Sequence, residues 1–98
     1  MKRLYVISRR DLGPSYAAVQ AGHALAEYML HGWGNWQNEV LVYLGVENEN
    51  SLYYEMGRAR EKGLECHEFY EPDLNNQLTA IAVYGDDTKD HFNNLKLL

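Results

Sequence analysis

The chain has 98 residues, 46% of them hydrophobic and 23% charged, an ordinary globular composition that excludes a disordered chain. That length suits one domain spanning residues 1–98 and leaves no room for two. Fourteen acidic against nine basic residues give a net charge of −5, which argues against indiscriminate binding to a phosphate backbone.

The first segment, Arg3–Ser8, reads RLYVIS and is aromatic and β-branched enough for a buried strand. Gly13-Pro14 then punctuates the chain, and Pro14 suits the first turn of a helix running to about Leu30. Ala18, Ala21, Leu25, Tyr28 and Met29 recur at helical spacing and predict its apolar face. Gly32, Gly34 and Asn35 end it. Val40–Val46 (VLVYLGV) is a second strand, apolar enough to be covered on both faces. Asn48 and Asn50 offer caps to a helix over about Ser51–Lys62, with Leu52, Met56 and Ala59 inward and Gly63 as its stop.

Glu65–Tyr70 alternates, with Cys66, Glu68 and Tyr70 on one side and Glu65, His67 and Phe69 on the other, so it is a third strand. Glu71–Asn76 is a loop. Gln77–Tyr84 is a fourth strand expected to place Leu78, Ala80, Ala82 and Tyr84 on one face. Asp86 or Asp87 can cap a last helix over Thr88–Leu97. The order β-α-β-α-β-β-α predicts a compact three-layer α/β sandwich with a mixed four-stranded sheet.

Beside the apolar stripe of the first helix, Tyr16, Gln20, His23 and Glu27 share a second one. It reads either as a solvent face or as the rim of a cleft, and periodicity does not separate the two. The four histidines have no zinc-ligand spacing, no serine sits in a G-x-S-x-G turn, and neither G-x-G-x-x-G nor a P-loop occurs. A structural metal is not expected, and nucleotide binding through those loops has no support. Cys66 alone excludes an intrachain disulfide, suits a reducing compartment, and reads as a buried structural thiol. Trp33 and Trp36 flank a turn where packing over the helix end, or stacking on bases, are both open. No apolar run approaches the roughly 18–20 residues of a membrane span, and MKRLYVIS lacks the apolar centre of a signal peptide. A cytoplasmic protein without membrane association is expected.

The basic residues are unevenly placed. Lys2, Arg3, Arg9 and Arg10 crowd the start, and Arg58, Arg60 and Lys62 form a second stretch. A local basic face and plain solvated charge both fit. The tyrosines, eight against two phenylalanines, allow a self-association surface and hence a homodimer.

Arg10-Asp11-Leu12 followed by Gln20-Ala21-Gly22-His23-Ala24 resembles the R-x-D-L … Q-x-x-H-A signature of class II peptidyl-tRNA hydrolases. Asp73-Leu74-Asn75-Asn76-Gln77-Leu78-Thr79-Ala80 is similar to that family's second segment, an aspartate loop leading into the last strand. The resemblance implies an α/β enzyme hydrolysing the ester between a peptide and the 3′ end of tRNA, without metal or cofactor. Carried over by position, it implies catalytic roles for Asp11, Gln20, His23, Asp73 and Thr79. Asp73 or His23 would orient the water, while Gln20, Thr79 or backbone N–H groups would face the oxyanion. Arg9 or Arg10 would hold a phosphate of the acceptor stem, a local and salt-sensitive contact on an acidic protein.

One position departs from the pattern. The family usually carries a lysine four residues before the glutamine, and here that position is Tyr16. A phenol is a neutral donor at pH 7, able to bind an oxyanion or stack on the terminal adenosine but unable to supply the charge. The alternative expectation is therefore an inactive RNA- or protein-binding module on the same fold.

Overall fold

Alternating β-branched and aromatic side chains make Arg3–Arg9 a strand, β1, sending Leu4 and Val6 to one side and Tyr5 and Ile7 to the other. The computed structural model describes residues 2–31, 35–86 and 88–98. After a 3-10 turn at Arg10–Leu12, Gly13 turns the chain at φ +85°, a region open to glycine at little cost, into helix α1, Pro14–Leu30. Strand β2, Val40–Val46, pairs with β1 in parallel. Asn48 caps helix α2, Glu49–Glu61, accepting the Ser51 N–H at 3.0 Å, so α2 starts before the expected Ser51. Strand β3, Glu65–Glu71, runs through a 3-10 turn at Pro72–Leu74 into β4, Gln77–Gly85. Asn75 and Asn76 make that turn with positive φ, which asparagine tolerates better than most side chains.

The sheet order is β3-β4-β1-β2-β5, with β4 antiparallel to both its neighbours. Four strands were expected; among the described residues the sheet has five. The last helix, α3, is only Thr88–His91, because Phe92 turns into the core and Asn93 and Asn94, poor helix formers, come after it. The freed chain returns as β5, Lys96–Leu97, and pairs antiparallel with Leu44 and Gly45 of β2. β2 thus lies near an edge, and Leu41 on it is exposed, contrary to the expected cover on both faces.

Two apolar clusters lie on opposite faces. Leu4, Val6, Ala80, Ala82 and Tyr84 pack under α1, whereas Tyr5, Ile7, Leu44, Ile81 and Val83 pack with Leu52, Met56 and Ala59 of α2 and with Phe92. The α2 stripe is as the spacing predicts. The α1 stripe is not: its buried residues are Ala17, Gln20, Ala21, Ala24 and Tyr28, while Ala18 and Met29 are exposed and Leu25 is half-buried. Three alanines let the helix lie close to the sheet, and Gln20 can enter because its amide is bonded there at both its oxygen and its nitrogen. Trp36 packs in the same cluster and donates to the Val40 carbonyl at 3.1 Å. The expected helix stop at Gly32 and Gly34, Trp33 and the capping Asp87 lie outside the described residues. No helix is long and apolar enough to cross a membrane, among the described residues.

A bulge interrupts the alternation of β4 near its start. Phe69 pairs with Ala80 and Tyr70 with Leu78, which leaves Thr79 as an extra residue. Thr79 and Ala80 consequently both face α1, and Leu78 is turned to the α2 side. The expected common face of Leu78 with Ala80, Ala82 and Tyr84 is broken at this point.

Candidate functional site

Under the first half of α1, at the carboxyl end of β1, a line of polar groups is built into the protein. The bulge aims the Thr79 hydroxyl at α1, where it donates to Gln20 Oε1 at 2.6 Å. Gln20 Nε2 donates in turn to Glu71 Oε1 at 2.9 Å. Glu71 Oε2 accepts the backbone N–H of Asp73 at 3.3 Å. Ser8, on the same face of β1 as Leu4 and Val6, donates to the Thr79 carbonyl at 3.2 Å. Ser8, Gln20 and Thr79 have no solvent exposure, so every polar atom of this line depends on its neighbours.

The order of donors fixes the chemistry of the line. Because Glu71 only accepts, Gln20 must present its N–H groups to it and its carbonyl to Thr79. The Gln20 amide first and the Asp73 N–H second hold the Glu71 carboxyl below its usual range, against the opposing effect of burial; His23 contributes further. His23 is exposed, its ring stacked on Phe69 with centroids 4.6 Å apart and planes 8° from parallel. Tyr16, half-buried one turn before Gln20, has its phenol pushed up by burial and then by the charges of Glu71 and Asp73. It stays a protonated donor at neutral pH. The Asp73 carboxylate is exposed beside it.

Four of the five positions carried over from the family signature are therefore together: Gln20, His23, Asp73 and Thr79. Asp11 is elsewhere. Arg9 continues the face of Tyr5 and Ile7 toward α2 and grips Asp11 with two bonds of 3.0 and 2.9 Å. It also donates to Gln77 at 2.9 Å and to the Leu78 carbonyl at 3.1 Å. The bond to Asp11 raises the guanidinium, and the same bond lowers the carboxyl of Asp11. Arg10 turns to the β2 edge and donates to the Leu97 carbonyl at 2.5 Å. Neither arginine is directed at Gln20. In the second basic stretch, Arg58 pairs with Glu55 at 2.6 Å and Arg60 with Glu68. Those two cations are thus neutralised by partners within the fold.

Glu71 is a site residue that the sequence did not single out, since it falls at the start of the expected loop. The signal was present: it continues His67 and Phe69 on the alternation that faces α1. Among the described residues, no group of three or more histidine, cysteine or acidic side chains is arranged to hold a metal.

Fold and site define a small α/β protein with a mixed sheet and a buried amide-hydroxyl-carboxylate line beneath its first helix. No protein-family model matches the chain, and no curated protein matches it. Among solved structures it is similar to a protein of unknown function from Agrobacterium tumefaciens strain C58, at 14% identity and a TM-score of 0.74. The match covers 99% of this chain and 97% of that one, a likeness of fold over essentially both lengths.

Proposed function

We propose that this chain is a peptidyl-tRNA hydrolase-like protein, cleaving the ester between a peptide or N-blocked amino acid and the 3′ end of tRNA. The observation that supports the reading is the bonded line Thr79–Gln20–Glu71, with Asp73 and His23 beside it. Asp73, exposed, takes a proton from the attacking water, whose oxygen bonds to the ester carbonyl carbon. The Tyr16 phenol donates to the oxyanion that forms, in place of a cation. The carbon–oxygen bond to the ribose then breaks, and the 3′ oxygen leaves with the proton returned by Asp73. Gln20 and Thr79 are positioning residues: they hold Glu71, and through it the Asp73 loop, without touching substrate.

A specific observation favours a second reading. Gln20 and Thr79 spend their donors inside the protein, and both Arg9 and Arg10 are directed elsewhere. An inactive RNA- or protein-binding module on this fold would look the same. Release of free tRNA from an N-acetylated aminoacyl-tRNA separates the two. The hydrolase reading expects turnover by the wild type and a loss of about 10²-fold or more in Asp73→Asn, the usual scale for a general base. Wild type that retains the tRNA without cleaving it supports the module. Absence of both turnover and tRNA retention removes the hydrolase and the RNA-binding readings.

A further inference from the structure

Apart from the polar line, a cavity of about 670 Å³ opens at the carboxyl ends of β1 and β2, where Arg10, the first turns of α2 and the segment entering β5 meet. These two strands are parallel neighbours, and the chain leaves β1 into α1 on one face and β2 into α2 on the other. Their diverging connections leave a crevice between the strand ends, the place where open α/β sheets take ligands. Its volume is in the range of small-molecule sites, about 300–1,000 Å³.

We propose that this crevice binds a nucleoside monophosphate. Arg10 is the phosphate ligand. Its guanidinium lies against Gly45, where a Cβ would meet Cζ, Nε and Nη2 at 2.8–2.9 Å, so the arginine occupies this position only because residue 45 has no side chain. Among the described residues Arg10 forms no ion pair, and its bond is to the neutral Leu97 carbonyl. An arriving phosphate therefore competes with a neutral acceptor and gains a charge-assisted, two-pronged bond. Lys96 adds a second positive charge to the same wall.

Two further lining residues, Glu47 and Tyr54, fit the other parts of a nucleotide. Glu47 comes directly after β2 and is exposed in the cavity, an acceptor for the vicinal hydroxyls of a ribose, the role an acidic residue after the second strand takes in dinucleotide folds. Its charge also opposes a longer polyphosphate. Tyr54 exposes 65% of its surface and lines the same cavity, with the Arg58 guanidinium 5.8 Å from its ring centroid. That ring is a platform on which a base can stack. The chain has no glycine-rich phosphate loop, so the phosphate falls to a side chain instead of backbone N–H groups.

Titration of the full chain with AMP, monitored by amide resonances, tests the site. Saturable shifts are expected at Gly45, Glu47 and Asn50, weakened about tenfold or more in Arg10→Gln, an exposed substitution that leaves the fold intact. Tyr54→Ala should weaken AMP but not ribose 5-phosphate. Asp73→Asn should bind AMP like the wild type, which keeps this site separate from the hydrolase reading. Absence of saturable shifts up to about 10 mM AMP, or shifts indifferent to Arg10→Gln, overturns the proposal. Inorganic phosphate binding as tightly as AMP would also overturn it, leaving a plain anion site.

Discussion

Thr79→Val replaces a buried hydroxyl by a methyl of the same shape and removes one donor from the polar line. Gln20 Oε1, unexposed and 2.6 Å from that hydroxyl, is left without a partner. An unsatisfied buried acceptor costs about 1–3 kcal/mol, and a methyl at that separation is too close, which favours the upper half. In a domain of this size each kcal/mol moves Tm by about 4–8 °C, so a fall of about 8–24 °C is expected. The urea midpoint should drop with an unchanged m-value, since the surface exposed on unfolding is the same. Thr79→Ser, which keeps the donor and loses one methyl, should cost only about 0.8 kcal/mol. Adding Gln20→Leu to Thr79→Val removes the orphaned oxygen, so the double variant should be less damaged than the two single losses together. A Thr79→Val protein with the midpoint of the wild type would refute the reasoning, because the hydroxyl would then not be satisfying a buried acceptor.

Glu71, with its folded pKa lowered, contributes stability that is present above the ordinary glutamate value of 4.5 and is lost as pH falls through the folded value. Urea midpoints of the wild type and Glu71→Gln should therefore converge on acidification below 4.5, and a constant gap would contradict the assignment. Cys66 is buried, and burial pushes its thiol up to about 12. A thiol reagent at about pH 8 should label it only after unfolding; rapid stoichiometric labelling of the native protein would show the site to be open. Leu52→Ala, at a side chain with no exposure, should cost about 2–5 kcal/mol, whereas Leu30→Ala should stay within about 0.5 kcal/mol. Equal losses at the two positions, measured by urea unfolding, would contradict the core described for α2.

Most element boundaries were legible because they rest on local chemistry. Pro14 can start a helix and not continue one, and Gly13 before it permits the turn. Asn48 caps α2 with its own side chain, and the alternation of β3 puts His67, Phe69 and Glu71 on one face whatever the neighbours are. The end of the chain was not legible, because Lys96–Leu97 becomes a strand only where β2 presents an open edge. No pattern in LKLL specifies that partner.

The candidate site divides in the same way. Local sequence determined that Gln20 and His23 share a helix and that Asp73 sits in a turn before a strand. Which side of α1 faces inward was decided by tertiary structure, since Ala17, Ala21 and Ala24 bury as readily as Ala18 and Leu25 would, and Gln20 could enter only with Thr79 and Glu71 waiting for its amide. Thr79 faces Gln20 because of a bulge set by the register of β3 on β4, a pairing between segments and not a property of either. The same holds for charge. The composition yields −5, but that Arg9 grips Asp11 while Arg10 lies over Gly45 toward Leu97 depends on where three strands end in space. Periodicity is a property of a segment and survives in the sequence; the satisfaction of a buried polar group depends on partners far along the chain, and only the folded molecule brings them within reach.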